Sequence, residues 1–203
     1  MHNTISFIQT PEGERVENHA EIEQEFIRHF QQVHQEPQMD RRHAIEKIIQ
    51  NVRKIITEEH NELLLHPIMP QEVDAAMHQL EGKTAGLDGF TTMFFHTFWE
   101  LIKEEVWLVV EESRTLHWLL PSLNSTFIAL VPKEENTRNL DKFRPIALCN
   151  VIYKVISKVI ANRLKLLLPQ LISPEQLGYV EGRQILDGII LMHEIIHSLK
   201  HSK

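Results

Sequence analysis

The sequence predicts an α+β chain in which helices dominate. Apolar residues recur at helical spacing through most of its 203 residues, only three short segments read as strands, and prolines and one glycine-dense loop punctuate the rest. Residues 5–8 read as a short strand, followed by a turn at Pro11-Glu12-Gly13. Ile22, Phe26, Phe30 and Val33 then mark one face of an amphipathic helix. After Pro37, Asp40 is placed to cap a second helix with Ile45, Ile48, Ile49, Val52, Ile55 and Ile56 on one face. Residues 61–70 read as a connector, and Pro70 opens a short helix bearing Val73, Ala76, Met77 and Leu80.

Residues 82–89, Gly-Lys-Thr-Ala-Gly-Leu-Asp-Gly, hold three of the seven glycines, so the backbone there is expected to visit conformations that side chains resist. From Phe90 to about Trp118 the pattern is helical and rich in Phe and Trp, with Pro121 as its end. Residues 125–131 and 143–148 look like strands. Asn150 is placed to cap a long helix running to Leu168, with Pro169 as its stop. Residues 173–182 are irregular and lead to a last helix from about Gln184 to the end.

Composition is that of an ordinary soluble globular protein, 42% hydrophobic and 24% charged. No apolar run approaches a membrane span and the N-terminus shows no apolar signal-peptide core, so no membrane partner is expected. The one cysteine, Cys149, has no internal partner for a disulfide, which suits a reducing compartment. The sequon Asn124-Ser125-Thr126 is then expected to stay unmodified. Nothing in the chain separates a nuclear from a cytoplasmic address.

Net charge is −7, yet residues 131–165 carry eight basic side chains against three acidic. Such a block fits a polyanion-facing surface and fits a solvated helix face equally well. Within it, a step of about 100° per residue puts Ile152, Val159, Ile156, Leu167 and Ile160 in one sector of the helix. Lys154, Lys158 and Lys165 fall within about 40° of one another on the opposite side. Arg163 falls in the middle of the apolar sector. A guanidinium there requires a carboxylate or carbonyl partners, because burying it alone costs several kcal/mol. It is expected as a structural ion-pair member, with an inward-facing phosphate ligand as the other reading.

The ordered pair Phe127-Ile128-Ala129-Leu130-Val131-Pro132-Lys133 and Phe143-Arg144-Pro145-Ile146-Ala147-Leu148-Cys149-Asn150 is highly specific. It resembles the reverse transcriptase domain of non-LTR (LINE-type) retrotransposons, especially the group common in plants. Val151-Ile152-Tyr153-Lys154, Ala161-Asn162-Arg163-Leu164, Ile172-Ser173-Pro174-Glu175-Gln176, Gly178-Tyr179-Val180-Glu181-Gly182-Arg183 and Ile185-Leu186-Asp187 fit the same family. The loop from Lys83 to Phe90 resembles the family's extra N-terminal motif. The resemblance covers residues 70–203 as the N-terminal, fingers-side part of the polymerase domain, and residues 1–69 look like the helical linker upstream of it.

That resemblance implies the fingers and palm edge of a right-hand polymerase, incomplete, with RNA template, DNA primer and dNTP as partners alongside a palm and thumb not seen here. It implies nucleotide contacts from Lys154, Arg144 and Arg183, where a triphosphate needs fixed cationic donors. Lys83, Lys133, Lys158 and Lys165 are the expected nucleic-acid contacts, and Gly182 would let backbone approach a ligand closely. Departures include Ala85 and Leu87 where proline is common, Tyr179 for phenylalanine, and Gly188 for asparagine.

Nucleotidyl transfer needs carboxylates that hold two metal ions. In the family these aspartates lie on palm strands beyond the last helix seen here, and no Asp-Asp pair occurs in the chain. Magnesium is therefore expected in the full-length polymerase and not on this stretch, which is expected to be inactive alone with no catalytic residue of its own. His193-Glu194-Ile195-Ile196-His197 satisfies the H-E-x-x-H zinc-hydrolase pattern, but the third ligand such a site needs has only six residues in which to appear. A further reading keeps the resemblance and drops the enzyme, leaving a relic that binds RNA phosphates or serves as a scaffold.

Overall fold

The computed structural model describes residues 5–10, 12–36, 40–52, 54–82, 84–135 and 137–201. In chain order its elements are β1 (Ile8–Gln9), β2 (Arg15–Val16), α1 (His19–His34), α2 (Arg42–Ile49), α3 (Glu58–Leu65), α4 (Pro70–His78), α5 (Thr92–Leu116) and α6 (Pro121–Asn124). They continue as β3 (Thr126–Pro132), β4 (Phe143–Cys149), α7 (Val151–Lys165), α8 (Leu168–Leu171) and α9 (Ile185–His201). The chain is helix-rich with two small antiparallel sheets, β1-β2 and β3-β4. Contacts divide it into two compact units, Met1–Val52 with Thr126–Cys149, and Arg53–Ser125 with Asn150–Lys203. The boundary expected between residues 69 and 70 thus runs inside the second unit.

In the first unit, the strand read at residues 5–8 falls later and shorter, as β1 at Ile8–Gln9, whose partner β2 pairs Ile8 with Val16 and Gln9 with Arg15. Gly13 turns the chain between them with φ 91°, and its N–H donates to the Thr10 carbonyl at 2.9 Å. Asn18 starts α1 by accepting the Ala20 N–H on its side chain at 2.9 Å. The apolar face of α1 presents Ile22 and Phe26 to Ile8, Leu140 and Phe143, which form one buried cluster. Phe26 meets Phe143 edge-on, with ring centroids 5.1 Å apart at 84°. The strands read at 125–131 and 143–148 are β3 and β4, a ladder running from Thr126↔Cys149 to Pro132↔Phe143.

The second helix is shorter than its apolar spacing predicts. Asp40 accepts the Arg42 N–H at 3.0 Å, but α2 stops at Ile49 and leaves Val52, Ile55 and Ile56 outside it. None of its residues is buried. A single short helix without a packing partner has nothing to offset the cost of ordering further turns.

The second unit is built on α4, α5 and α7. Val73, Ala76 and Met77 from α4, Phe95, Trp99, Val106 and Val110 from α5, and Val151, Val155 and Val159 from α7 share one core. The buried line of α7 is the i, i+4 ridge of three valines, which lies nearer the lysine side than the predicted sector. Ile152 and Ile156 pack beside the core, whereas Ile160 is 53% exposed. α5 ends at His117, whose left-handed φ of 52° breaks the helix before the proline, so Pro121 opens α6 instead of ending α5. Pro169 likewise sits in the first turn of α8, after α7 has ended at Lys165.

The segment read as a connector at 61–70 is largely helical, and its two ends explain why. Thr57 and His60 form a reciprocal cap at the start of α3. At the other end the carbonyls that a helix leaves unpaired are met by arginines distant in sequence. Arg163 donates to the carbonyls of Leu64 at 2.9 Å, His66 at 2.6 Å and Pro67 at 3.1 Å. Arg114 donates to the Leu65 carbonyl at 3.2 Å, and the Trp107 indole N–H to that of Ile68 at 2.7 Å. Glu72 holds Arg163 bidentately at 2.7 and 2.8 Å, and the Arg163 side chain is only 12% exposed. Glu111 pairs with Arg114 and also accepts the Ile68 N–H at 2.9 Å.

Replacing Arg163 with Met leaves Glu72 unpaired and three carbonyls without donors, and is expected to cost about 3 kcal/mol in urea unfolding. A loss below about 1 kcal/mol would show that these bonds do not hold the unit together. The pairs also set an acid limit. The hydrogen bond from Arg114 pulls the Glu111 carboxyl from 4.5 to about 2, and that from Arg163 lowers Glu72, in each case against the opposing effect of burial. An unfolded chain takes up these protons first, so the stabilisation is complete above pH 4.5 and is lost as pH falls from there toward about 2. Thermal midpoints measured from pH 6 to 2.5 are expected to drop in that window, less steeply in the Glu111→Gln variant.

Candidate functional site

Among the residues expected to carry function, Lys154 has the most defined surroundings. It lies one turn into α7, half-buried, and its ammonium reaches the Thr84 carbonyl at 3.4 Å. Thr84 belongs to the glycine-dense loop, so α7 and that loop meet at this lysine. The contact depends on Asn150, which sequence reasoning placed as a simple helix cap. Asn150 is 2% exposed, and its side chain caps none of the first-turn N–H groups of α7. Its Oδ1 accepts the Asp88 N–H at 3.3 Å, and its Nδ2 donates to the Ser122 carbonyl at 3.0 Å. One amide therefore joins the loop, α6 and the start of α7.

Gly86 explains the loop's composition. A Cβ built on it would lie 2.2 Å from Asn150 Oδ1 and 2.6 Å from Asn150 Cα, closer than any real contact. Gly89 is required for a different reason, its φ of 78°. The glycines thus serve two needs, close approach in one place and left-handed backbone in the other. The loop's Lys83 lies outside the described residues.

Lys158 follows Lys154 by one turn, half-buried and without an ion pair among the described residues. Lys165, at the end of α7, faces Glu181 at 3.4 Å. Arg183 is engaged within its own segment: its guanidinium donates to the carbonyls of Ser173, Gln176 at 2.8 Å and Ile172 at 3.0 Å. It holds residues 172–176 as Arg163 holds 64–67. Gly182 has φ 80° and open space around it, so the backbone angle is what requires glycine there.

Lys133 and Arg144 belong to the first unit. Both lie at the turn end of the β3-β4 hairpin, where Val131 faces Arg144 across the ladder. Lys133 donates its ammonium to the Asp141 carbonyl at 2.6 Å. Arg144 is exposed and has no ionic partner among the described residues.

A hard divalent ion such as magnesium needs convergent carboxylate oxygens. Among the described residues no group of three His, Cys, Asp or Glu side chains is placed to hold a metal. Asp88 spends an oxygen on the Phe90 N–H at 3.0 Å. The described residues therefore present no set of oxygens that fits magnesium. His193, Glu194 and His197 are exposed on α9, where no third ligand joins them among the described residues. No helix among the described residues is long and apolar enough to cross a membrane.

Removing the loop's clasp is expected to loosen it. Gly86→Ala places a methyl group where Asn150 stands, and Asn150→Ala strips the Asp88 N–H and Ser122 carbonyl of their partner, at a cost of about 2 kcal/mol. Amide exchange at residues 84–89 is expected to speed up in both variants, and unchanged exchange would show that the amide does not fasten the loop.

Comparison with known proteins shows what the chain is similar to. Residues 131–203 match the reverse transcriptase (RNA-dependent DNA polymerase) family. The chain is also similar to the Transposon TX1 uncharacterized 149 kDa protein of Xenopus laevis, 32% identical over 144 residues. That alignment takes in 70% of this chain and 11% of the relative, so the chain spans about a tenth of the protein it matches. The matched stretch contains Lys133, Arg144, Lys154, Arg163 and Arg183 together with the β4–α7 junction at Asn150. By these matches residues 131–203 are similar to a reverse transcriptase domain, and most of the chain is similar to a short part of a transposon protein.

Proposed function

We propose that this chain supplies the nucleotide-gripping, fingers side of a retrotransposon RNA-directed DNA polymerase, with residues 70–203 as the polymerase part and residues 1–69 as an upstream linker. The observation that carries this reading is the state of Lys154. An ammonium has three donors, and this one makes a single long contact to Thr84 while anchored between a rigid helix and a clasped loop. Such a cation is available to an incoming phosphate without first breaking an ion pair. Arg144 is similarly uncommitted, and Lys158 extends the basic line along α7. RNA template, DNA primer and dNTP are the partners this role requires, with magnesium held by carboxylates that do not converge among the described residues. Arg183 acts in this reading by shaping the 172–176 turn, since its donors are already used on carbonyls.

A second reading, an RNA-binding piece without catalysis, rests on the same uncommitted cations and is distinguished by what they prefer. Under the fingers reading, dNTP binding measured by calorimetry is expected to weaken about fivefold or more in Lys154→Ala, while Lys165→Ala changes it little. The purified chain is expected to incorporate no labelled nucleotide on a primed RNA template, with magnesium or manganese. Equal dNTP affinity in wild type and Lys154→Ala, with RNA affinity falling steeply in salt, would favour the second reading.

A further inference from the structure

We propose that α9 carries an exposed two-imidazole site for a divalent transition-metal ion, formed by His197 and His201. The two residues are one helical turn apart and therefore on one face. Their ring centroids are 4.3 Å apart at an interplanar angle of 56°. Two imidazoles bound to one ion through nitrogens about 2.1 Å away, at close to a right angle, have centroids roughly 4.6 Å apart. The ring separation is thus within a few tenths of an ångström of what a right-angled chelate needs.

A second close histidine pair among the described residues makes a useful contrast. His78 and His96 are nearly parallel, 6.0 Å apart at 28°, and both are engaged: His96 Nε2 lies 3.2 Å from the Leu80 carbonyl oxygen and His78 Nε2 lies 3.7 Å from Asp74. Neither His197 nor His201 has a hydrogen-bond partner among the described residues. Both are exposed on α9.

The donor set fixes the class of ion. Imidazole nitrogens select zinc, nickel, copper or cobalt over magnesium and calcium. Glu194 lies on the same face, three residues before His197, but no third side chain converges on the pair among the described residues. Water completes the coordination, and the site binds without being a hydrolase centre. It also differs from the H-E-x-x-H reading, which pairs His197 with His193 instead. Lys200, adjacent in sequence to His201, opposes a cation and limits the affinity.

The test is a chelator-competition titration of the untagged full chain with zinc and with nickel. One ion per chain is expected, with His197→Ala and His201→Ala each weakening binding by about tenfold or more. His193→Ala and His78→Ala are expected to change it less than about twofold, and excess magnesium not to compete. All four side chains are exposed or partly so, and far-UV circular dichroism checks that each variant keeps its helices. Zinc is also expected to slow amide exchange across residues 193–201 in the wild type and not in His201→Ala. Undiminished binding in His197→Ala, or an equal loss in His193→Ala, overturns the assignment.

Discussion

The guanidinium of Arg163 is the point on which the second unit turns. It joins α7, through its own backbone, to Glu72 on α4 and to three carbonyls at the C-terminal end of α3. A helix end leaves carbonyls that water or a cap must satisfy, and here a side chain nearly one hundred residues away does so. Because the arginine is mostly withdrawn from solvent, it is stable only while the carboxylate and the carbonyls are all present. The dependence is mutual: α3 ends where it does because Arg163 and Arg114 meet its last carbonyls. The valine ridge of α7 supplies the apolar contact that keeps the arginine in register with them.

The same logic recurs at smaller scale. Arg183 gathers the carbonyls of 172–176, and Asn150 gathers an N–H from the glycine loop and a carbonyl from α6. In each case a single polar side chain gives shape to a segment with little regular structure of its own. Lys154 differs from these three residues because its donors are not used up. That contrast separates the cations that build the fold from those left for a ligand. Charge counting along the sequence cannot make it, since a basic residue contributes the same charge whether its hydrogen bonds point inward or outward.

Apolar surface is distributed unevenly. The core of the second unit is well packed, yet α9 buries none of its residues although Ile185, Ile189, Ile190, Met192, Ile195 and Ile196 crowd it. α2 is in the same condition. Surface of this kind is characteristic of a segment that packs against more chain, and the relative that this chain resembles is about nine times longer than the matched portion. What the described residues offer is a set of uncommitted cations, a clasped loop, and no converging carboxylates.

The sequence by itself carried the resemblance to reverse transcriptases, through an ordered series of motifs, and most of the elements, through periodicity and proline punctuation. It located the glycine loop, the strand pair and the helix that carries Lys154, because these are local patterns whose physical reasons lie within a few residues. It also required partners for Arg163, because an arginine on an apolar face has few alternatives. It could not name Glu72 or the carbonyls of Leu64, His66 and Pro67, nor foresee that α3 is a helix, because those bonds join positions far apart in the chain. Asn150 shows the limit most sharply. Its place before a helix was legible, but the buried amide pressed against Gly86 exists only once α6, α7 and the loop are brought together. The tertiary structure decided which cations are spent and which are free, because hydrogen-bond satisfaction is settled in three dimensions.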